Sequence, residues 1–256
     1  MKILGRCLIL FCIIISFGCS PAINCDSNSC LHILFIGNSY TYVNDLPGTF
    51  AKLANAGGHP VDVEMEAQGG WSLSEHLNSS VTLDKISSSK WNFVALQEQS
   101  EIPAVEQSRT QEMFPAARSL VQRIEQGGAQ PILFLTWAHR DGLPAYGMNN
   151  YDAMQFQINQ GYLGMAQELN VPVAPVGVAW TTVRGAYPQL TLWQDDGSHP
   201  TMTGTYLAAC VFYAVIFRQS PAGLNYTAGL PNETAQSLQT IAGQTVLQNP
   251  GEWNLR

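Results

Sequence analysis

Two short runs are almost continuously apolar, residues 31–36 (Leu-His-Ile-Leu-Phe-Ile) and residues 132–135 (Ile-Leu-Phe-Leu). Runs of this length suit strands covered on both faces, which constrains the chain to a sheet buried between two other layers. Residues 61–66 instead alternate strictly, Val-Asp-Val-Glu-Met-Glu, and read as an edge strand with one wet face. With residues 93–97 and 171–176 the strand candidates number five: 31–36, 61–67, 93–97, 131–136 and 171–176. Helical patterns lie between and after them. Residues 109–126 place Met113, Phe114, Ala117, Leu120, Val121 and Ile124 on one face, and Gly127-Gly128 ends the run. Residues 149–169, a very apolar 201–217 and an amphipathic 233–248 make three further helices. Strands alternating with helices imply βαβ units of right-handed crossover and a parallel sheet with helices on both sides. Residues 220–231, with two prolines and two glycines, read as a linker into the last packing helix.

Composition narrows the class. Hydrophobic residues make up 46% and charged residues only 12%, which excludes disorder and suits a compact domain, expected over residues 30–256. A net charge of −7 with no basic block argues against a nucleic-acid partner. Lys2 and Arg6 precede an apolar stretch from Cys7 to Phe17, the size of a signal-peptide core. Ser20-Pro21-Ala22 offers a cleavage site that makes residues 1–22 the leader. Ser16-Phe17-Gly18-Cys19 resembles a bacterial lipobox, which would lipidate Cys19 and tether the chain to a membrane. Both readings export the protein, to the periplasm, the exterior or a membrane surface. In an oxidising compartment Cys25 and Cys30 can pair across Asp26-Ser27-Asn28-Ser29, or remain two thiols near a chain end. Cys210 reads as a buried small hydrophobe. No cysteine or histidine spacing resembles a metal site, so none is expected.

In an open parallel sheet, ligands bind beyond the carboxyl ends of the strands. The first strand candidate runs into Gly37-Asn38-Ser39, the second into Gln68-Gly69-Gly70-Trp71-Ser72. The third ends at Gln97-Glu98-Gln99-Ser100, and the fourth at Trp137-Ala138-His139-Arg140-Asp141. Polar and aromatic residues thus gather on one rim. A serine hydroxyl needs an adjacent base near neutral pH, and an imidazole base needs a carboxylate to fix its tautomer. Asp196-Gly197-Ser198-His199-Pro200 places such a carboxylate three residues from a histidine, within reach of a single turn.

Together, Ile36-Gly37-Asn38-Ser39-Tyr40-Thr41 and Asp196-Gly197-Ser198-His199-Pro200 resemble the first and last blocks of the SGNH/GDSL hydrolase superfamily. The resemblance runs from about Leu31 to Phe217 and lies closest to a branch that starts with Gly-Asn-Ser. It implies a flavodoxin-like three-layer α/β/α sandwich with a five-stranded parallel sheet. It also implies Ser39 as nucleophile, His199 as base and Asp196 as its orienter, with Asp195 a less well placed competitor. The oxyanion donors would be the Ser39 N–H, the N–H of Gly70 (or Gly69), and an asparagine side chain in a Gly-x-Asn-Asp block. This chain lacks that block, and Gln99 stands as the replacement donor.

The chemistry implied is cofactor-free acyl transfer, and exported members of the superfamily often deacetylate polysaccharides. A carbohydrate O-acetylesterase is therefore expected, with Trp71, Trp137 and Trp193 either stacking on sugar or packing helices against the sheet. A lipid or general short-chain esterase is the alternative. So is a non-catalytic glycan-binding protein on the same scaffold. His139 and Arg140 either bind substrate or merely sit on the rim, His32 shows no partner in the sequence, and His76 is expected to cap or pack near the second block.

Overall fold

The computed structural model describes residues 30–88 and 91–255. The expected leader, Cys19 and Cys25 lie outside these residues. Strands β1 (Leu31–Gly37), β2 (Val61–Ala67), β3 (Phe93–Leu96), β4 (Gln130–Phe134) and β5 (Val173–Ala174) form one sheet in the order β2-β1-β3-β4-β5. Every pair is parallel. The helices are α1 (Ser39–Tyr42), α2 (Leu46–Ala56), α3 (Leu73–Leu77), α4 (Ser80–Ser88), α5 (Glu106–Ser108), α6 (Phe114–Gln126), α7 (Tyr151–Leu169), α8 (Val176–Ala186), α9 (Met202–Phe217) and α10 (Asn232–Leu247).

This is the doubly wound three-layer sandwich that the resemblance implies. Helices α2, α8, α9 and α10 pack on one another, and α3, α4, α6 and α7 form a second group. β1 is buried from Ile33 to Gly37, whereas β2, at the sheet edge, exposes Asp62 and Glu64 and, toward its end, Met65 as well. The two strands carry the patterns that their positions require. Helix α9 is buried continuously from Gly204 to Ile216, because α2, α8 and α10 all contact it. That explains a helix apolar on every side. Among the described residues no helix is long and apolar enough to cross a membrane.

Register sets up the site. Ile36 lies opposite Glu66 of β2 and Leu96 of β3, so the carboxyl ends of these three strands are level. From β1 the chain crosses to β2 on one side, then returns to β3 on the other. The reversal leaves a crevice beyond the ends of β1 and β3.

Several sequence expectations shift. The fifth strand is only Val173–Ala174, because Pro175 caps α8 and Val176 is already helical. The valine-rich run reads locally as strand, but Gly177 lies so close to the Thr136 carbonyl that the chain turns there. The helix expected from residue 109 starts with a π-turn, Arg109–Met113, and becomes α-helical at Phe114. Pro115 has no N–H to continue an α-helical ladder across that point. Residues 220–231 are a tied loop and not a linker. Buried Gln239 of α10 accepts from the Gly223 N–H at 3.0 Å and donates to the Leu224 carbonyl at 2.9 Å. Cys30 is disulfide-bonded; Cys210 is free and buried, as expected.

Candidate active site

The end of β1 is tied to β3 by one side chain. Gln97, fully buried, accepts at Oε1 from the Asn38 N–H (2.8 Å) and the Thr41 hydroxyl (2.9 Å), and donates from Nε2 to Asn38 Oδ1 (2.9 Å). Asn38 in turn donates to the Trp71 carbonyl at 2.8 Å and caps α1 by accepting from the Tyr40 N–H at 3.1 Å. One amide thus links the turns after β1, β2 and β3. Gly37 is required for the close approach: a Cβ there would fall 2.4 Å from both Gln97 Oε1 and Thr41 Oγ1.

Ser39 opens α1 immediately beyond this clamp. Its Oγ lies 2.8 Å from His199 Nε2, and His199 Nδ1 lies 2.6 Å from Asp196 Oδ2. The other carboxylate oxygen, Asp196 Oδ1, accepts from the Ser198 N–H (2.9 Å) and the His199 N–H (3.0 Å). Partial burial opposes ionisation of Asp196. The two amides and the imidazole outweigh it and hold the carboxyl below its ordinary value. Asp195 makes no hydrogen bond to His199. Serine, imidazole and carboxylate therefore form one directed chain, in which Nδ1–H donates to Asp196 and Nε2 is left to accept from Ser39.

The expected oxyanion donors converge on the same cleft, about 420 Å³ in volume and lined by Ser39, Gly70 and Gln99 among others. Gly70 has φ +77°, a backbone angle that glycine adopts without strain. Neither the Ser39 nor the Gly70 N–H has an acceptor among the described residues. Gln99 Oε1 accepts from the Glu101 N–H at 2.8 Å and the Ile102 N–H at 3.3 Å. With the carbonyl end so held, the Nε2–H₂ end is free to donate. Gly69 lines the cleft too.

For two of the three tryptophans the sugar-stacking expectation is corrected. Trp137 is fully buried, stacked between Tyr40 (4.4 Å) and Trp180 (4.3 Å), and its Nε1 donates to the Ser198 carbonyl at 3.0 Å. Trp193 is also buried, edge-on to Trp180, and donates to the Ala138 carbonyl at 3.1 Å. Neither can stack on a sugar. Their indoles brace the turn that carries Asp196 and His199, the packing alternative. Trp71, half-buried, follows Gly70 directly; its ring meets His76 edge-on at 5.1 Å, and its backbone carbonyl serves Asn38. The aromatic side chains that line the cleft are Tyr40 and Tyr42.

His139 also lines the cleft, with Nε2 3.1 Å from Ser100 Oγ, and burial lowers its pKa. Arg140 stays on the rim, paired with Asp141 at 3.0 Å. His76 is fully buried under the second block, donating from Nε2 to the Gly37 carbonyl (2.8 Å) with Nδ1 toward the Thr82 hydroxyl (3.0 Å). Burial lowers its pKa, in keeping with a neutral packing role. His32 pairs with Asp62 at the exposed edge.

The sequence places Gln97 and Ser100 on the rim without a role, and it does not single out Tyr42 or Glu101. The one available signal was the abrupt change at the end of β3 from apolar residues to Gln97-Glu98-Gln99. A larger groove of about 550 Å³, lined by Ala104, Val105, Tyr146, Met148 and Gln157 among others, contains no serine or imidazole.

No protein-family model and no curated protein matches the chain. Solved structures do. A candidate SGNH hydrolase from Slackia heliotrinireducens is 29% identical, with a TM-score of 0.62 over 72% of this chain and 97% of its own. A protein of the DUF4886 family from Bacteroides uniformis superposes at a TM-score of 0.73 over 86% of this chain and 96% of its own, at 18% identity. The acetylxylan esterase Axe2 from Geobacillus stearothermophilus has a TM-score of 0.55 at 19% identity, over 72% of this chain and 92% of its own. The last two likenesses are of fold.

Proposed function

The chain belongs to the SGNH/GDSL hydrolase superfamily, and we propose that it is an exported serine esterase acting on small-acyl esters of polar alcohols, carbohydrate O-acetyl groups foremost. The observation that carries the hydrolytic part is the directed Ser39–His199–Asp196 chain. In the cycle His199 Nε2 takes the Ser39 proton as Oγ attacks the ester carbonyl. The Ser39 and Gly70 N–H groups and the Gln99 amide receive the oxyanion. His199 then protonates the leaving alcohol, and water, activated by the same imidazole, releases the acid from Ser39. These steps need no cofactor.

The small-acyl part rests on the cleft lining: Asn38, Ser39, Tyr40, Tyr42, Gly69, Gly70, Gln99, Ser100, Glu101, His139, Ser198 and His199. None is aliphatic. Each methylene added to an acyl chain thus finds little apolar surface and forgoes most of the ~0.8 kcal/mol that burial would contribute. The same lining holds hydroxyl, carboxylate and imidazole groups suited to the hydroxyls of a sugar, and no lysine or arginine for an anionic headgroup. The expected result is that kcat/KM falls steadily from p-nitrophenyl acetate to butyrate to octanoate, and that acetate is released from acetylated xylo-oligosaccharides. Octanoate turned over as well as acetate would overturn the small-acyl reading in favour of a lipid esterase.

Gln99→Ala tests the replacement donor. Loss of one oxyanion donor costs about 3 kcal/mol, so kcat should fall roughly 10²-fold with KM little changed. A drop below about threefold would remove Gln99 from the oxyanion site.

A further inference from the structure

Glu98 lies between the two glutamines that serve the site, and its side chain is fully buried. A single oxygen, Oε1, accepts from two backbone amides: the Leu73 N–H at 3.0 Å and its neighbour Gln99 N–H at 2.6 Å. Leu73 opens α3, three residues beyond Gly70. Oε2 has no partner among the described residues. The Glu98 N–H donates to the Tyr162 hydroxyl of α7 at 3.1 Å. The charged groups that act on the carboxyl are also acidic, Glu112 in the π-turn and Glu75 on α3. The Ser39–His199–Asp196 cycle leaves this buried acid without a task.

We propose that Glu98 is a positioning residue for the oxyanion pocket, joining the segment that presents Gly70 to the segment that presents Gln99 and so fixing the spacing of the two donors. The inference rests on the esterase reading above. Without the shared acceptor, the Leu73 and Gln99 amides would be left buried and unpaired, and the two loops would have no common anchor.

Protonation state matters to this role. Burial, outweighing the two amide donors, pushes the Glu98 carboxyl up to about 8. A neutral acid can bridge the loops without placing charge beside the pocket. Once ionised, it sets a buried negative charge next to Gln99 and opposes the developing oxyanion. The decline in kcat should therefore appear as pH rises through about 8. Stability follows the same proton. The folded chain keeps it between the ordinary 4.5 and about 8 while the unfolded chain has lost it. The unfolded state binds fewer protons across that window, so stability falls as pH rises through it and levels off above.

Glu98→Gln keeps the shape and the Oε1 acceptor and cannot ionise. It should hold kcat at pH 7 within about threefold of the wild type and abolish the alkaline decline. Glu98→Ala should lower kcat at least about tenfold with little change in KM, and its loss should add only in part to that of Gln99→Ala, since part of it acts through the Gln99 donor. A merely structural glutamate would lower stability but leave the alkaline limb of Glu98→Gln unchanged and the double variant additive. Either of those two results overturns the proposal. If the wild type hydrolyses no ester, the esterase reading fails by itself. The stability of wild type and Glu98→Gln between pH 4.5 and 8 then decides for Glu98, and equal slopes reject the neutral bridge.

Discussion

Ser39→Ala should lower kcat/KM for p-nitrophenyl acetate by at least about 10⁴-fold while leaving the fold intact. Among the described residues the only hydrogen bond of the Ser39 side chain is the one to His199 Nε2 at 2.8 Å. Removing Oγ deletes the nucleophile and frees an imidazole in a cleft open to solvent, so no buried group is left unpaired. The turn itself is held by Gln97 and Asn38, which the substitution does not touch. Residual turnover comes from the oxyanion donors acting on a water-derived nucleophile. Thermal melts of the two proteins should coincide. Retention of more than a tenth of the wild-type rate, with the same melt, would mean that another group attacks the ester and would end the serine mechanism.

Asp196→Asn is the second large effect, about 10⁴-fold in kcat, against less than about threefold for Asp195→Asn. The reason lies in the carboxylate's other oxygen. Oδ1 accepts from the Ser198 and His199 amides at 2.9 and 3.0 Å. An asparagine at this position must keep its carbonyl oxygen toward those two donors, which turns its NH₂ toward His199 Nδ1. The imidazole then accepts at Nδ1 and carries its proton on Nε2, where it can no longer take one from Ser39. The geometry survives and the tautomer is wrong. Asp195 is exposed and does not reach His199, so its replacement changes only surface charge. Rates for both variants at neutral pH decide the assignment; equal losses, or the larger loss at Asp195, would reverse it.

Legibility in the sequence followed the range of the forces involved. The five strands were readable because burial on two faces or on one leaves a local pattern in each segment, and β1 and β2 carry the two patterns side by side. The Asp196–His199 pair was readable because a three-residue turn closes it, whatever the rest of the chain does. The fifth strand is shorter than expected because Val171–Val176 has strand composition throughout, while the packing of Gly177 against Leu135 and Thr136, just past β4, decides where the helix begins. The tryptophans misled for a related reason. Proximity in sequence to the site blocks does not say which way an indole points, and the Tyr40–Trp137–Trp180 stack unites residues from three distant segments.

By itself the sequence determined a doubly wound sheet and, at the end of its first apolar run, a serine presented by Gly37-Asn38, with a carboxylate–histidine turn able to serve it. Those are properties of contiguous residues, where burial pattern and short-range hydrogen bonds act alone. Only the tertiary structure decided that the two meet, 160 residues apart, at 2.8 Å. It also decided the separate duties of Gln97, Glu98 and Gln99, three consecutive polar residues that no periodicity distinguishes. Gln97 turns to the β1 turn, Glu98 to the amides of Leu73 and Gln99, and the carbonyl end of the Gln99 side chain to the amides of Glu101 and Ile102 at the edge of the cleft. Each direction is set by where the neighbouring strands end, and that is fixed by the register of the whole sheet.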